Sequence, residues 1–473
     1  MSDFQVVDPS GWNYDLHSVY SAYIGYFQTH NISWYEKSWG HLFSTFEEFL
    51  AFSWPVIVVT DAGTGKAHIV TRLNSIGAFL KMIKTRFGET LPQADNMIIV
   101  TPYETSSRHL RRVSDHATYK KLYNTLPAAI LLAQKQRIRN GEPDAIREIW
   151  EKCDKTFMAI DFEWSERNEK STLEFGYAAL RCGALKSLGI WPPVPDENYR
   201  KGHYIVQEYV DKVTNKYCPT YPWHYSFGDS QVISKAKLPQ LIQAVISSLA
   251  SPDSETLPNA LVLVMHGASG DLARLEDMKI KLPHNMLVID TATFERRLYN
   301  AGRRPLMIDP KTGKERQPGS TLSLENLLRS FTSTSQKDSI VLPNIKFHNS
   351  GNDAFMCLFA LQMFIEPKGL SVPTPKRTNH LRSGVAIVPT IMQAPMLPEL
   401  RISSTGHSGY ATFGGLPTPG LTPGNRSSMY DLASEFGQMR MGLDRSASRS
   451  PGKSNGGSMR VSRKPSALND YGF

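Results

Sequence analysis

The chain has 473 residues, 41% of them hydrophobic, and is therefore long enough for two folded units with sizeable cores. Its four cysteines are widely spaced without a CxxC pair, which argues against a disulfide framework or a zinc ribbon. No secretory signal is visible at the N-terminus, and the longest apolar run, residues 354–365, is too short to span a bilayer. We therefore expect a soluble intracellular protein with reduced thiols and no membrane partner.

The formal net charge of +9 is concentrated towards the C-terminus. Residues 371–473 contain 12 Lys and Arg against 5 Asp and Glu, a surplus of +7, which leaves +2 for residues 1–370. The basic composition of the whole chain is therefore weak support for nucleic-acid binding by its folded part.

Residues 1–150 are predicted to form an accessory α/β region. Short apolar runs at 55–60 and 96–101 are typical of buried strands. Apolar spacing of the helical kind predicts helices near 78–84, 117–123, 128–139 and 143–152.

The segment Asp61–Lys66 follows a predicted strand and resembles a phosphate-binding loop superficially. That motif requires glycine where Thr60 stands and serine or threonine where Ala67 stands. A turn that joins strands at 56–60 and 68–71 explains the segment better. A nucleoside triphosphatase is nearly excluded on this ground.

Basic side chains concentrate in the last part of the accessory region. We interpret them as the polar faces of helices packed on the next domain, with nucleic-acid binding as the alternative. They are Arg108, Arg111, Arg112, Lys120, Lys121, Lys135, Arg137 and Arg139.

Residues 157–164 form an apolar run rich in β-formers and predict a buried central strand interrupted by two carboxylates. Because residues two apart on a strand share a face, Asp161 and Glu163 should project together. Adjacent carboxylates repel each other and are costly to bury unless a divalent cation neutralises them. Taken alone, Asp161 and Glu163 would fit the solvated end of a strand better than a metal site.

Two later segments supply further candidate ligands. The segment 259–275 reads as a buried strand, a turn of small residues and a helix that begins near Asp271, which places this carboxylate where open α/β sheets bind ligands. His348 falls in a predicted turn, and Asp353 falls on the first turn of an apolar helix that must be buried. Four carboxylates and an imidazole from three segments meet the needs of a two-metal phosphodiester hydrolase, in which histidine accepts the proton of the attacking water.

The order and spacing of these motifs resemble the DEDDh exonucleases of the ribonuclease H-like superfamily. The resemblance implies a three-layer α/β/α domain with a mixed central sheet at residues 155–366, in which 287–293 matches the fifth strand and 323–328 the helix after it. It also implies a nucleic-acid-binding hydrolase, a 3′–5′ exonuclease that depends on two Mg²⁺ or Mn²⁺ ions.

The same resemblance assigns a role to each candidate residue by position. Asp161, Glu163 and Asp353 would ligate the first metal, and Asp161 the second. Asp271 would act through a water on the metal, and His348 would be the general base.

A closer resemblance links residues 155–366 to a fungal family named for a factor needed for full activity of a DEAD-box helicase in mRNA export. The segments 203–208, 227–232 and 348–354 carry it, whereas 209–225 departs from the family pattern. This resemblance implies RNA rather than DNA as the substrate and a nuclear or nucleocytoplasmic location. It also supplies the alternative function, a non-catalytic ribonuclease H-like binding factor in mRNA export or RNA metabolism.

Other polar residues near these motifs fit structural roles. Asp290 fits a helix N-cap better than a sixth ligand, and His266 fits a hydrogen-bonded histidine beside a buried strand. Residues 309–314 carry a turn signature. Beside them lies a basic loop that either contacts the phosphate backbone of a nucleic acid or is an ordinary solvated loop. It contains Arg303, Arg304 and Arg316.

Residues 370–473 are rich in Ser, Pro, Gly, Thr and Arg and predict a disordered basic tail. The segment 463–466 looks like a kinase site, whose phosphorylation would make RNA or partner binding switchable; an inert tail is the alternative. One short segment would form an amphipathic helix if a protein partner covered its apolar face. Its apolar residues are Met429, Leu432, Phe436 and Met439.

Overall fold

The structure is a computed structural model, and it describes the chain with several gaps. All described residues fall within one compact unit, residues 1–388. Among them, no helix combines the length and apolar character needed to cross a membrane. The described residues are 5–29, 45–88, 90–91, 96–252, 259–309, 312–331, 342–367 and 370–376.

The N-terminal region contains short antiparallel sheets and six helices among its described residues. Its strands are β1 (Val6–Val7), β2 (Tyr14–Asp15), β3 (Trp54–Thr60), β4 (Ala67–Thr71), β5 (Arg108–His109) and β6 (Arg111–Val113). Its helices are α1 (Leu16–Thr29), α2 (Phe46–Leu50), α3 (Leu73–Phe87), α4 (His116–Tyr123), α5 (Leu126–Arg139) and α6 (Pro143–Glu151).

Strands β2, β4, β3 and β6 pair in that order, all antiparallel, and β1 pairs separately with β5. The predicted turn between β3 and β4 is confirmed, since the Asp61 backbone N–H donates to Lys66 O at 2.8 Å. The Asp61 side chain completes this turn by accepting from the backbone N–H of Thr64 at 2.8 Å. The glycine-rich segment is therefore a hairpin turn.

The strand predicted at 96–101 is wrong. Here the described chain makes a single bridge, between Ile99 and Tyr14, and Ile98 and Ile99 are more than half exposed. Two backbone hydrogen bonds flank this bridge, from Asp15 N–H to Ile98 O at 3.1 Å and from Val100 N–H to Asn13 O at 2.7 Å, and Ile98 N–H donates to the Ser18 hydroxyl. An apolar run becomes a strand only where a neighbouring strand continues the ladder, and the neighbour here is β2, which has only two residues.

The second region is built around a sheet that has six strands among the described residues. The strands are β7 (Thr156–Ser165), β8 (Asn168–Arg181), β9 (Arg200–Val206), β10 (Ser230–Ile233), β11 (Leu261–Met265) and β12 (Leu287–Asp290). The helices are α7 (Cys182–Ser187), α8 (Pro195–Asn198), α9 (Leu238–Ala250), α10 (Ser269–Asp277), α11 (Thr291–Asn300), α12 (Leu324–Arg329) and α13 (Ser350–Ile365).

The strand order is β10-β9-β8-β7-β11-β12. Strand β8 runs antiparallel to both neighbours, whereas the pairs β10–β9, β7–β11 and β11–β12 are parallel. The predicted strand at 157–164 is therefore central, with a parallel partner on one side and an antiparallel partner on the other. The predicted mixed central sheet is confirmed.

Alternation along β7 divides the core into two layers. Phe157 and Ala159 pack with α6, α11, α12 and α13 on one face of the sheet. Met158 and Ile160 pack with α9 and α10 on the other face. Helices therefore cover both faces, which confirms the predicted three-layer α/β/α arrangement. Asp161 and Glu163 continue the face that carries α13.

Helix α13 approaches the sheet most closely at Gly176 on β8. Gly176 pairs directly with Asp161, and a Cβ at this position would lie 2.1 Å from the backbone oxygen of Ser350. The missing side chain thus lets the first turn of α13 pack against the strand pair beside Asp161.

Helix α6 begins at Pro143, before the predicted end of the accessory region at residue 150, yet it packs in the core of the second region. Its buried Ile146, Ile149 and Trp150 belong to the same cluster as Phe157. The boundaries at 150, 155 and 366 remain predictions. Residues 370–376, at the start of the predicted disordered tail, are described, and Lys376 N–H donates to Ser226 O at 2.8 Å. The disorder predicted for the rest of the tail, its basic residues beyond Lys376, the predicted helix at 429–439 and the kinase site lie outside the described residues.

The close approach at Gly176 predicts a loss of stability in Gly176→Ala. Because backbone cannot yield as a flexible side chain can, we expect the free energy of unfolding to fall by about 1–3 kcal/mol. Thermal and urea unfolding followed by circular dichroism measure it. The control is Gly77→Ala on α3, where nothing lies within 4 Å of the added Cβ and helix propensity should raise stability by up to about 1 kcal/mol. Equal stability of Gly176→Ala and the unsubstituted protein would contradict the packing.

Candidate metal centre

Strand β7 presents two carboxylates on the face that α13 covers. Asp161 and Glu163 are both half-buried and lie opposite Gly176 and Glu174 of β8. The regular register of the two strands ends directly after Glu163, where the pairing shifts. The carboxylates therefore stand at the last regular positions of the central strand pair, as the alternation of the sequence predicts.

Asp353 reaches the same place from the first turn of α13. Its side chain is buried, and Oδ2 accepts a hydrogen bond of 2.9 Å from the backbone N–H of His348. Its other oxygen, Oδ1, is buried and accepts no hydrogen bond from the described residues. A buried carboxylate oxygen without a donor is costly unless a cation satisfies it.

His348 stands at the rim of the site. Its backbone has a positive φ of 58°, and its carbonyl accepts a hydrogen bond of 2.9 Å from Tyr221 N–H. The imidazole is exposed, and one ring nitrogen and one carboxylate oxygen each from Glu163 and Asp353 lie within 4.8 Å of one another. The structure thus brings together three of the predicted site residues in a group that could hold a metal ion.

Asp271 joins the site from the first turn of α10. Its side chain is buried, and Oδ1 accepts a hydrogen bond of 3.2 Å from Phe162 N–H, between the two carboxylates of β7. Burial raises the pKa of Asp271 to about 7; the Phe162 N–H opposes this shift and the charge of Asp290 adds to it. All five predicted site residues therefore surround the end of β7.

The carboxylates of the site repel one another in a buried setting. Burial raises the pKa of Asp161 well above its usual range, with further contributions from Asp271, Asp353 and Glu163. Burial and then the charge of Glu163 do the same for Asp353. The pKa of Glu163 rises to about 8, from burial first and then from Glu174 and Asp271. Clustered carboxylate oxygens are the ligands that Mg²⁺ and Mn²⁺ prefer, so these residues and the unpaired Asp353 Oδ1 fit such ions.

A buried pair next to the site was not anticipated from the sequence. Glu174 lies directly opposite Glu163, and its Oε2 lies 3.0 Å from Nε2 of His203 on β9. Nδ1 of His203 lies 2.9 Å from the hydroxyl oxygen of Ser230 on β10. Glu174 is the one charged residue in the largely apolar part of β8, residues 173–180, and only the register with β7 reveals that it lies beside the site.

Burial keeps this pair uncharged near neutral pH. It raises the pKa of Glu174 to about 8, although hydrogen-bonding groups of Ser350 and Thr220 lower it. It also lowers the pKa of His203 to about 3. Glu174 and His203 therefore contribute hydrogen bonds next to the site but no positive charge that would balance its carboxylates.

The structural roles predicted for two nearby residues are confirmed. Asp290 caps α11 by accepting from the backbone N–H groups of Ala292 and Thr293. The ring nitrogens of His266 lie 3.0 Å from the Thr291 hydroxyl oxygen and 2.9 Å from Leu322 O. Both residues are accounted for without a ligand role.

The basic loop beside the turn at 309–314 differs from both interpretations given above. Arg316 is buried, and its guanidinium pairs with both oxygens of Glu295 at 2.6 and 2.7 Å. Arg304 lies 3.7 Å from Glu295, and its guanidinium stacks over Phe331 and Phe364. Only Arg303 is exposed, and it pairs with Asp144 at 2.8 Å. Buried Glu295 thus keeps Arg304 and Arg316 away from the surface. The sequence alone does not show that these residues pair.

The turn at 309–314 is confirmed for its described residues. The backbone N–H of Asp309 donates to Lys314 O at 2.8 Å, and Ile308 bridges Glu315.

The raised carboxyl pKa values predict how stability depends on pH without metal. Asp271, Glu163 and Glu174 have folded pKa values of about 7, 8 and 8, whereas unfolded carboxyls titrate near about 4. The folded state then binds more protons than the unfolded state between about pH 4 and 8, so the free energy of unfolding falls as pH rises through this window. In EDTA we therefore expect the melting temperature to decrease from pH 5 to pH 8.

Two comparisons make this measurement specific. Millimolar Mn²⁺ should raise the melting temperature most at the upper end of the window, because the cation replaces the bound protons. Asp161→Asn should flatten the pH dependence in EDTA, because it removes one of the repelling carboxylates. A melting temperature that rises from pH 5 to pH 8 in EDTA would contradict the buried cluster.

Comparison with known proteins finds one family to which the second region is similar. Residues 156–364 match the family model for the DEDDh-type C-terminal domain described as DNA polymerase III subunit epsilon-like. A search of curated proteins gives no match. These comparisons do not support the resemblance to the fungal mRNA-export family.

Two solved structures of exonuclease I from E. coli are similar to part of the chain. One is the zinc-bound form in complex with single-stranded DNA, with 11% identity, and the other is a complex with a dA13 oligonucleotide, with 10% identity. Each match has a TM-score of 0.26 and covers 45% of this chain and 41% of exonuclease I. The match thus spans less than half of either protein.

The family match runs from the start of β7 into the last turn of α13, and this segment contains every predicted site residue. Over residues 156–364, which are less than half of the chain, the protein is therefore similar to the DEDDh exonuclease-like family.

Proposed function

We propose that this protein is a divalent-metal-dependent nuclease that removes nucleotides from the 3′ end of a nucleic acid. The observation that carries the proposal is the convergence of Asp161, Glu163, Asp271, His348 and Asp353 at one end of β7 in a DEDDh-type domain. Each of these five positions holds the carboxylate or imidazole that two-metal hydrolysis of a phosphodiester requires.

The four carboxylates of the site are the proposed metal ligands. Asp161, Glu163, Asp271 and Asp353 would hold two Mg²⁺ or Mn²⁺ ions. When bound, such ions supply charge stabilisation at the scissile phosphate and acidify water. The hydrogen bond from Phe162 N–H to Asp271 and that from His348 N–H to Asp353 fix the orientation of two of these carboxylates.

His348 would accept the proton from the attacking water. Its backbone is held on both sides, by Asp353 and by Tyr221, while its imidazole is exposed at the rim of the carboxylate cluster. A fixed backbone with an accessible ring suits a general base that must meet a substrate from solvent.

A basic cleft supports a nucleic acid as the substrate. It has a volume of about 480 Å³ and lies between the C-terminal end of α5 and one side of α11. Its described lining contains three arginines and no carboxylate. Guanidinium groups gathered in this way suit the phosphates of a nucleic-acid backbone. The lining comprises Arg139, Asn140, Thr293, Arg296, Arg297, Asn300 and Gly319.

One end of the cleft is linked to the carboxylates through Asp290. The Thr293 hydroxyl donates to Asp290 at 3.1 Å, and Asp290 is close enough to Asp271 to raise its pKa. Asn300 follows Thr293 by about 10 Å along the helix axis. We propose that the strand being trimmed runs from the carboxylates along this side of α11.

The sequence resemblance to the mRNA-export family alone favours RNA over DNA and a nuclear location. A non-catalytic binding factor is the alternative function, but no observation on the described residues favours it. Assays on both nucleic acids decide these points.

Asp161→Asn and Asp353→Asn should each abolish Mg²⁺- or Mn²⁺-dependent trimming of an oligonucleotide. Replacing even an outer partner of a metal typically costs 10- to 100-fold, so we expect a loss of at least about 100-fold for a direct ligand. A 5′-labelled oligonucleotide with a free or a blocked 3′ end, as RNA and as DNA, measures rate, polarity and preference. The matched control is Asp211→Asn, at an exposed position whose φ of 64° suits asparagine.

Several outcomes would contradict the proposal. If the unsubstituted protein trims neither RNA nor DNA, single-stranded or duplex, with either metal, the enzyme assignment fails. Binding of nucleic acid that survives Asp161→Asn without any trimming would instead favour the non-catalytic factor. Trimming that a blocked 3′ end does not affect would contradict the proposed polarity.

Charge reversal in the cleft should weaken nucleic-acid binding. We expect Arg296→Glu with Arg297→Glu to lower affinity at least about tenfold and to reduce the slope of log Kd against log salt by about one per arginine. Fluorescence anisotropy at several salt concentrations, in Ca²⁺ to limit turnover, measures both quantities. The control is Lys186→Glu, an exposed reversal outside the cleft. An unchanged salt slope in the double variant would rule out the cleft as a backbone site.

A further inference from the structure

A second cleft, called the aromatic cleft below, lies in the N-terminal region. Its volume is about 600 Å³, which is within the range of sites that hold small molecules. All of its lining residues fall between residues 15 and 126, outside the segment 156–364 that matches the family model. None of the roles proposed so far uses it. The lining includes Phe46, His68, Tyr119, Lys120, Tyr123 and Leu126.

A row of aromatic rings forms one wall of the aromatic cleft. The rings of Phe46 and Tyr119 meet edge to face with their centroids 4.7 Å apart, and Tyr119 stacks with Tyr123 at 6.1 Å. Tyr123 is 55% exposed, so the row ends in a ring that a ligand can reach from solvent. Accessible rings of this kind stack with nucleobases, and each stacked base contributes about 1–3 kcal/mol to binding.

Hydrogen-bonding groups line the same cleft. Nδ1 of His68 lies 3.0 Å from Oδ2 of Asp15, whose Oδ1 accepts from Ser18 N–H at 2.8 Å. Because a carboxylate can only accept, Nδ1 carries the proton, and Nε2 of the neutral ring is an acceptor. Burial and then the charge of Asp15 raise the pKa of Tyr119 to about 12, so its hydroxyl stays protonated and can donate. The cleft thus offers an acceptor and a donor beside its rings.

Positive charge accompanies the rings. Lys120 follows Tyr119 directly, is exposed and lines the cleft, and Lys121 next to it is also exposed. Proteins that bind single-stranded nucleic acid combine aromatic rings, on which bases stack, with cations that contact the phosphates. A nucleotide has a planar ring, a hydrogen-bonding edge and an anion, and the aromatic cleft has a group for each of them.

Helix α5 connects the aromatic cleft with the basic cleft described above. Leu126, at the N-terminal end of α5, lines the aromatic cleft, and Arg139, at its C-terminal end, lines the basic cleft. The rise of the helix separates these two residues by about 20 Å. At about 3.4 Å per nucleotide of one strand, about six nucleotides cover this length. A short single strand can therefore occupy both clefts.

We propose that the aromatic cleft binds one unpaired nucleotide of a single-stranded nucleic acid, on the 5′ side of the end that reaches the metal centre. The base stacks on Tyr119 and Tyr123, and its edge bonds to His68 Nε2 and to the Tyr119 hydroxyl. Lys120 contacts an adjacent phosphate. The binding of a nucleotide does not depend on catalysis, whereas the direction of the strand rests on the proposed nuclease function.

The test of stacking uses 2-aminopurine, a base whose fluorescence falls when it stacks. Single-stranded oligonucleotides with a blocked 3′ end carry this base at each internal position in turn and are titrated with the full chain in Ca²⁺. We expect one internal position at which fluorescence falls on binding, and Tyr123→Ala should abolish this decrease. Tyr123→Ala should also lower affinity at least about fivefold, the smaller cost of one lost base stack.

Two variants control this measurement. Tyr123→Phe keeps the ring and should retain both the fluorescence decrease and the affinity. Leu188→Ala removes another exposed apolar side chain, outside the two clefts, and should change neither quantity. Because Tyr123 is more than half exposed, we expect Tyr123→Ala to remain folded, and circular dichroism checks this.

The phosphate contact is tested separately. Lys120→Ala should reduce the slope of log Kd against log salt by about one, while Lys186→Ala, at an exposed position outside the two clefts, should leave it unchanged. An unchanged slope in Lys120→Ala would contradict a phosphate contact at this position.

The outcomes separate the aromatic cleft from the nuclease. No internal decrease in fluorescence, or the same decrease in Tyr123→Ala, would overturn the site even if the protein trims nucleic acid. A decrease that depends on Tyr123 in a protein without trimming activity would support the site and refute the nuclease function instead. If the free 2-aminopurine nucleotide binds as tightly as the oligonucleotide, the strand is overturned as the ligand in favour of a mononucleotide.

Discussion

The contact between the first turn of α13 and the β7–β8 pair is the constraint on which the site depends. Because Gly176 has no side chain, Ser350 can approach the strand pair opposite Asp161, and Asp353 is then carried to the same place as Glu163. Helix α13 is almost wholly buried, so its position is set by the core rather than by the polar groups at its end. Apolar packing thus holds together carboxylates that would separate if they were free to move.

This arrangement couples the stability of the fold to the ions it is proposed to bind. Near neutral pH, the site carries repelling carboxylates with raised pKa values and no basic side chain among the groups that shift them. Glu174 and His203 do not relieve the repulsion, because burial keeps the first largely protonated and the second neutral. Protons or cations must therefore compensate the charge, and the two compete. The buried core thus pre-organises the carboxylates for a divalent ion.

Much of this could be predicted from the sequence because the signals are local. The apolar run at 157–164, the cap at Asp290 and the buried helix that begins near Asp353 each follow from residues adjacent in the chain. The errors concern partners distant in sequence. The run at 96–101 meets only the two-residue strand β2, so its pairing ends after a single bridge. Glu295, over 20 residues away, draws Arg316 into the core. The position of Glu174 could not be predicted for the same reason, because it lies opposite Glu163 only through the register between β7 and β8.

The N-terminal region and the segment 209–225 both pack around the elements that carry the site. Helix α6 packs in the core next to β7, and the end of α5 forms one wall of the arginine cleft, so residues before 150 complete the second region physically. The segment 209–225 contacts His348, whose carbonyl accepts a hydrogen bond from Tyr221 N–H and whose ring lies 3.2 Å from the Cys218 sulfur. Because Asp353 and Tyr221 hold the backbone of His348 at its N–H and at its carbonyl, the imidazole stays beside the carboxylates while it is exposed to solvent. These backbone contacts therefore fix the position of the proposed base without burying the ring that must meet a water molecule.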